Sequence, residues 1–306
     1  MFIKYPHGKR GTVPVRHIIP NLITTIALCC GLASIHFTLK PDWDRAILCI
    51  ILAAVFDALD GRAARLLKAS SPFGAVLDSL GDFLSFGVAP AVLLHQWLLK
   101  EQGDVFGLAA VMTFALCSAL RLARFTAAVK PTKPATGTAG LPTPDEQRAA
   151  IIGSKFFVGM PTPAAAAAVL IPPMLMYSKV VGEKVRAFFG IAEPIAGPGR
   201  MVIDVPAQPT SAFITWTVII YTFLIAYLMV SRIPMFSFKK VRVNARAVVP
   251  LLLAVGLLVG LAVKDTWLMV SVVAGAYLCS LPLAVIAHRR IVRKPVEASG
   301  SPVPTA

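Results

Sequence analysis

The sequence predicts an all-α integral membrane protein of about eight transmembrane helices. Hydrophobic residues make up 57% of the 306 positions, and the mean hydropathy of +0.74 is far above that of a soluble domain. Apolar runs long enough to cross a bilayer recur at roughly 18–39, 45–64, 73–99, 104–126, 160–178, 211–230, 247–264 and 267–288. The charge between these runs is lopsided: 22 of the 30 lysines and arginines fall in 1–17, 62–68, 121–155, 232–246 and 289–294, and only 8 in the alternate segments. Excess Lys/Arg marks cytoplasmic loops, so both termini are expected inside and the number of spans even.

Taken in order, residues 1–17 form a basic cytoplasmic N-terminus. The run at 18–39 is expected to stay as a helix, because no small-residue cleavage site follows a short apolar core. The runs at 45–64 and 73–99 are joined by the short turn "KASSP". After the 104–126 run, residues 127–155 are rich in Pro, Thr, Gly and Lys and read as a cytoplasmic loop. The small residues of "PTPAAAAAVLIPP" at 161–173 permit close helix packing. Residues 179–210 read as an external loop and 231–246 as a basic cytoplasmic loop. Residues 247–290 are expected as a plain apolar hairpin without buried charge, appended to the rest, and 291–306 as a disordered tail.

The net charge of +15 is explained by the loops and an anionic lipid surface, and calls for no nucleic acid. The five cysteines lie inside apolar runs with no metal-type spacing and read as packing residues; the five histidines show no pairing either. No internal repeat is present.

The chemistry lies in "FDALDGRAARLLKASSPFGAVLDSLGDFLSFGVAP", residues 56–90. It puts Asp57, Asp60, Asp78 and Asp82 into lipid-spanning segments. Each ionised aspartate near mid-membrane costs roughly 2.5–3.5 kcal/mol, so something must offset the set. Asp57 and Asp60 are three apart and share a helix face, continued by Gly61, Ala64 and Arg65; Asp78 and Asp82 are four apart and share another. Folding the two runs into a hairpin pairs Asp57 with Asp82 and Asp60 with Asp78 at nearly equal index sums, hence at equal depth. A lone aspartate is often a helix cap or an arginine's partner, but four at these spacings point to two divalent cations. Oxygen-only ligands suit Mg²⁺ or Mn²⁺, which clamp a phosphate during in-line displacement. Gly61 and Ala64 leave room for a ligand near the backbone, Gly74 stands at the mouth of the next helix, and Arg65 can pair with a phosphate.

The stretch resembles the signature of the CDP-alcohol phosphotransferases, D-x2-D-G-x2-A-R-x8-G-x3-D-x3-D, met here by Asp57, Asp60, Gly61, Ala64, Arg65, Gly74, Asp78 and Asp82. The resemblance implies a six-helix membrane core over roughly 18–230, usually a homodimer, with the last two helices outside that core. It implies that the four aspartates hold two divalent ions, that Asp82 is the general base, and that Gly61, Ala64, Arg65 and Gly74 cradle the CDP group. "IPNLITTIALCCGL" at 18–32, "SSPFGAVLDSLGDFLSFGVAPA" at 70–91, "RLARF" at 121–125, "GMPTPAAA" at 159–166 and "SRIPMFSFKK" at 231–240 resemble the bacterial membrane-bound phosphatidylserine synthases. That subgroup implies an inner-membrane enzyme with its site at the cytoplasmic face, CDP-diacylglycerol as donor and L-serine as acceptor. Asn21 and Thr24, near the start of the first span, are candidates to touch the nucleotide, with a helix cap or packing role as the alternative. Arg121, Arg124 and Lys239 are candidates for the acceptor carboxylate or a lipid phosphate. The aspartate motif acts on the donor, so glycerol 3-phosphate, inositol phosphate and choline stay open as acceptors. An ion or proton carrier is the alternative of a different class.

Overall fold

A computed structural model describes residues 15–69, 71–99, 104–128, 156–188, 212–231, 233–236 and 245–286. The first residues of the basic N-terminus, the loop after residue 128, residues 189–211, the basic loop with Lys239, and the C-terminal tail lie outside the described residues. The described chain is helical apart from one short ribbon, which agrees with an all-α membrane protein. By contact it divides into two compact units, Met1–Leu93 and Leu94–Ala306. The cut falls inside the apolar run at 73–99 rather than at the edge of the expected 18–230 core.

The first unit is built on α1 (Val15–Leu39), α2 (Trp43–Leu66) and α3 (Pro72–Asp82). Pro41 and Asp42 end the α1–α2 turn; the Asp42 carboxylate accepts from the Arg45 N–H at 3.4 Å and pairs with its guanidinium at 3.2 Å. Ser71 caps α3 by accepting the Gly74 N–H at 3.0 Å, and Pro72 occupies the first turn, where its missing N–H costs nothing. After Asp82 the helix widens into a π-helical stretch, Phe83–Val88, before α4 (Ala89–Leu94). α1 packs closely along α2 and also against α3 and the π stretch, whereas α2 and α3 touch each other far less. Small buried residues make the close approach possible: Ala27, Ala46 and Ala53 lie in the core with Ile47 and Ile50, and the Ser85 hydroxyl donates to the Ala27 carbonyl at 3.3 Å. Leu22, Leu32, Leu48, Val55 and Leu59 face outward, as a lipid-facing surface requires.

The second unit contains α5 (Asp104–Ala128), β1 (Phe156–Val158), α6 (Thr162–Val169), α7 (Ile171–Tyr177), α8 (Gly182–Phe188), α9 (Ala212–Val230), β2 (Pro234–Phe236), α10 (Ala245–Lys264) and α11 (Thr266–Cys279). α5 packs against α9. β1 and β2 form an antiparallel ribbon that pairs Phe156 with Phe236. Gly159 follows at φ 77, and a Cβ there would meet the Met229 carbonyl oxygen at 2.6 Å, so only glycine fits.

Four described helices are long and apolar enough to cross a membrane: Ile18–Leu39, Pro72–Trp97, Val105–Arg124 and Thr266–Ile286; Thr215–Val230 and Leu252–Lys264 are shorter apolar helices. Two expectations change. The run at 160–178 is two helices of 8 and 7 residues, broken at Leu170 ahead of Pro172 and Pro173, which cannot donate to a continuing ladder. The C-terminal hairpin is neither an appendage nor free of buried charge. α11 packs on α6 and α7, and Asp265 at the hairpin turn is buried. Its Oδ2 accepts from the Ser178 hydroxyl at 2.6 Å and the Val180 N–H at 3.1 Å, while Oδ1 caps α11 through the Leu268 N–H at 3.1 Å. Only the fold brings Ser178 to it, from 87 positions away.

Candidate functional site

The site is built within the first unit. Alanines 53, 54, 58, 63 and 64 keep α2 helical through its polar end despite Asp57, Asp60 and Gly61. The one-turn spacing then aims both carboxylates the same way. α3, started by Ser71 and Pro72, brings Asp78 to meet them. One carboxylate oxygen each from Asp57, Asp60 and Asp78 can be chosen so that all lie within 4.8 Å of one another. The carboxyl of Asp57 also reaches that of Asp82 as a side-chain neighbour. Asp82 lies near Asp57, Asp78 and Asp60 but is not part of the trio.

Asp60 is 4% exposed and Thr24, on α1, is 5% exposed. The Thr24 hydroxyl donates to Asp60 Oδ2 at 2.6 Å and has the Pro20 carbonyl at 3.1 Å as its alternative acceptor. A cavity of about 200 Å³ opens beside the carboxylates. It is lined by Asn21 and Thr24 from α1, Asp60, Gly61 and Ala64 from α2, and Gly74 and Asp78 from α3, among others. A Cβ on Gly74 would stand 2.9 Å from Asn21 Oδ1 and 3.1 Å from Ser71 Oγ, so the glycine lets the Asn21 side chain lie on the start of α3. Gly61 has nothing within 4 Å of its missing Cβ; the open space there belongs to the cavity mouth.

Arg65 is exposed, donates from Nε to the Gly61 carbonyl at 2.9 Å, and is not among the lining residues. Arg121 and Arg124 belong to the second unit. Arg121 Nη1 donates to Thr162 Oγ1 at 2.8 Å, at the start of α6, and Arg124 Nη1 to the Val230 carbonyl at 3.0 Å, at the end of α9. Lys239 lies outside the described residues. Pro20, Ala69, Ser71 and Ala75 also line the cavity and were not singled out from the sequence. A serine followed by proline is a helix-start signal, so Ser71 was legible as a cap, though not as a cavity wall.

The donor set fits a hard divalent cation: it is carboxylate oxygen throughout, converging from two helices, with a cavity alongside. Such an arrangement can hold a diphosphate against cations and leave a carboxylate over to take a proton.

Residues 17–197 match the family model for CDP-alcohol phosphatidyltransferase, and residues 246–282 match the model for CDP-alcohol phosphatidyltransferase 2. The C-terminal hairpin therefore has a counterpart of its own within these models. Among curated proteins, the chain is 31% identical over 290 residues to a CDP-diacylglycerol–serine O-phosphatidyltransferase of Mycobacterium tuberculosis, covering 95% of this chain and 85% of that one. The protein of that name from Mycobacterium leprae is 30% identical over 91% of this chain and 78% of its own. The one from Helicobacter pylori is 27% identical over 69% and 80%.

Proposed function

The chain belongs to the CDP-alcohol phosphatidyltransferase family, and on that premise we propose that it makes phosphatidylserine and CMP from CDP-diacylglycerol and L-serine. The observation that carries the transfer chemistry is the convergence of Asp57, Asp60 and Asp78, from α2 and α3, beside a cavity. The choice of serine is supported by similarity along nearly the whole chain to proteins that bear that activity in their names.

In this reading Asp57, Asp60, Asp78 and Asp82 hold two divalent cations, Mg²⁺ or Mn²⁺. When bound, these supply positive charge for the diphosphate and for the charge that develops in the transition state. Gly61, Ala64 and Gly74 leave space for the cytidine diphosphate, and Asn21 and Ser71 present polar atoms to it. Asp82 takes the proton from the serine hydroxyl. The serine oxygen bonds to the phosphorus that carries diacylglycerol, the bond from that phosphorus to the bridging oxygen breaks, and CMP departs. No covalent intermediate on the protein is needed. Arg121, Arg124 and Lys239 are the candidates for the serine carboxylate or a lipid phosphate.

The chain lies in the inner membrane with both termini and the site at the cytoplasmic face, an orientation supported by the 22-to-8 charge split. It works as a homodimer, the state the resemblance implies as usual. The test is CMP release from CDP-diacylglycerol by purified protein with Mn²⁺ or Mg²⁺, offered L-serine, glycerol 3-phosphate, inositol phosphate or choline. Release that requires serine supports the reading. Release with another acceptor keeps the family and overturns serine.

A further inference from the structure

We infer that Thr24 is the positioning residue for Asp60, holding that carboxylate from a third helix so that it can serve a cation; this rests on the metal reading above. Like charges crowd the site, and α2 and α3 barely touch each other. Left to themselves, neighbouring carboxylates swing apart. α1 packs on both helices, and Thr24 is where it reaches the charged trio. The two branches of its side chain face different partners. The hydroxyl donates to Asp60 on α2 at 2.6 Å, and the methyl Cγ2 faces Gly81 on α3, 3.8 Å from where a Cβ would sit.

Gly81 lies between the aspartate positions 78 and 82, so one threonine faces both helices that carry the carboxylates. Its hydroxyl occupies one oxygen of Asp60 and leaves the other for a cation. A donor that fixes a metal-binding carboxylate in this way typically changes affinity 10- to 100-fold when removed. A stiff, β-branched residue suits the task, because few rotamers compete. Pro20, one turn earlier, offers its carbonyl to the same hydroxyl, which keeps the proton directed within the site whether or not Asp60 holds it.

The experiment measures Mn²⁺ bound to detergent-purified full-length protein by the loss of the free-ion paramagnetic resonance signal, beside the Mn²⁺ concentration for half-maximal CMP release. Thr24→Val keeps the shape and removes the hydroxyl; Thr24→Ser keeps the hydroxyl and removes the methyl. The expected result is Mn²⁺ affinity about 10- to 100-fold weaker in Thr24→Val and within about threefold of wild type in Thr24→Ser. Wild-type affinity in Thr24→Val overturns the assignment, and so does equal weakening in both, which indicates packing alone. If Thr24→Val does not fold, Thr24→Ala against Thr24→Ser isolates the hydroxyl, and equal affinities overturn the assignment. No Mn²⁺ bound by the wild type overturns the metal reading itself, an outcome distinct from the others.

Discussion

Asp60 and Asp265 are both buried acids at the ends of apolar helices, 4% and 2% exposed, yet their surroundings are opposite. Asp265 is ringed by donors: the Ser178 hydroxyl and the Val180 and Leu268 amides. Asp60 has the Thr24 hydroxyl and the neighbouring Gly61 amide, and on its other side looks at other carboxylates. A carboxylate whose oxygens are filled by the protein is finished; it stabilises the fold and offers nothing to a ligand. Carboxylates turned on one another cost stability until a cation arrives, which is how a site built for binding differs from a buried cap. The same residue type is thus a joint in one unit and a ligand candidate in the other.

The sharpest way to break the contrast is to neutralise one acid of each kind. Asp82→Asn or Asp78→Asn is expected to lower CMP release by about 10³-fold or more, while metal-free thermal stability stays level or rises as repulsion is relieved. A large fall in metal-free stability would show these acids to be structural. Asp265→Asn is expected to do the reverse. Activity per folded molecule stays within about twofold, and stability falls by about 2–3 kcal/mol because a charged acceptor with several donors is lost. This is read as a lower unfolding temperature in detergent.

The acid limb sharpens the contrast further. Burial pushes the Asp265 carboxyl up, but the hydrogen bonds from Ser178, Leu268, Val180 and Lys179 outweigh it and hold the carboxyl below its ordinary value. A depressed native value means the contribution is present above about pH 4, the unfolded value, and is lost as pH falls through the native one. Wild type and Asp265→Asn should therefore converge in unfolding temperature as the pH drops below about 4, and parallel curves would sink the idea.

Smaller effects test the cavity between the carboxylates. Gly74→Ala places a Cβ against Asn21 Oδ1 and is expected to raise KM for CDP-diacylglycerol about tenfold, while better helix propensity keeps stability near wild type. An unchanged KM would detach Asn21 and Gly74 from donor binding. Ser71→Ala removes the α3 cap and is expected to cost about 1 kcal/mol in unfolding measurements, the least of the series.

Much of this protein is legible in order along the chain. Composition and apolar length dictate membrane helices, because lipid demands internally satisfied backbone over a fixed thickness. Helical periodicity decides that Asp57 faces with Asp60 and Asp78 with Asp82, and the Ser71–Pro72 start signal decides where α3 begins. Sequence spacing does not reveal that α1 is the element packed on both aspartate helices, that Thr24 meets Asp60, or that Asp57, Asp60 and Asp78 form a trio from which Asp82 is left out. Those facts depend on side chains 36 positions apart in the case of Thr24 and Asp60, and 87 apart for Ser178 and Asp265. Local periodicity fixes which face a residue takes on its own helix; only packing in three dimensions decides which other face it meets, and that is what separates Asp60 from Asp265.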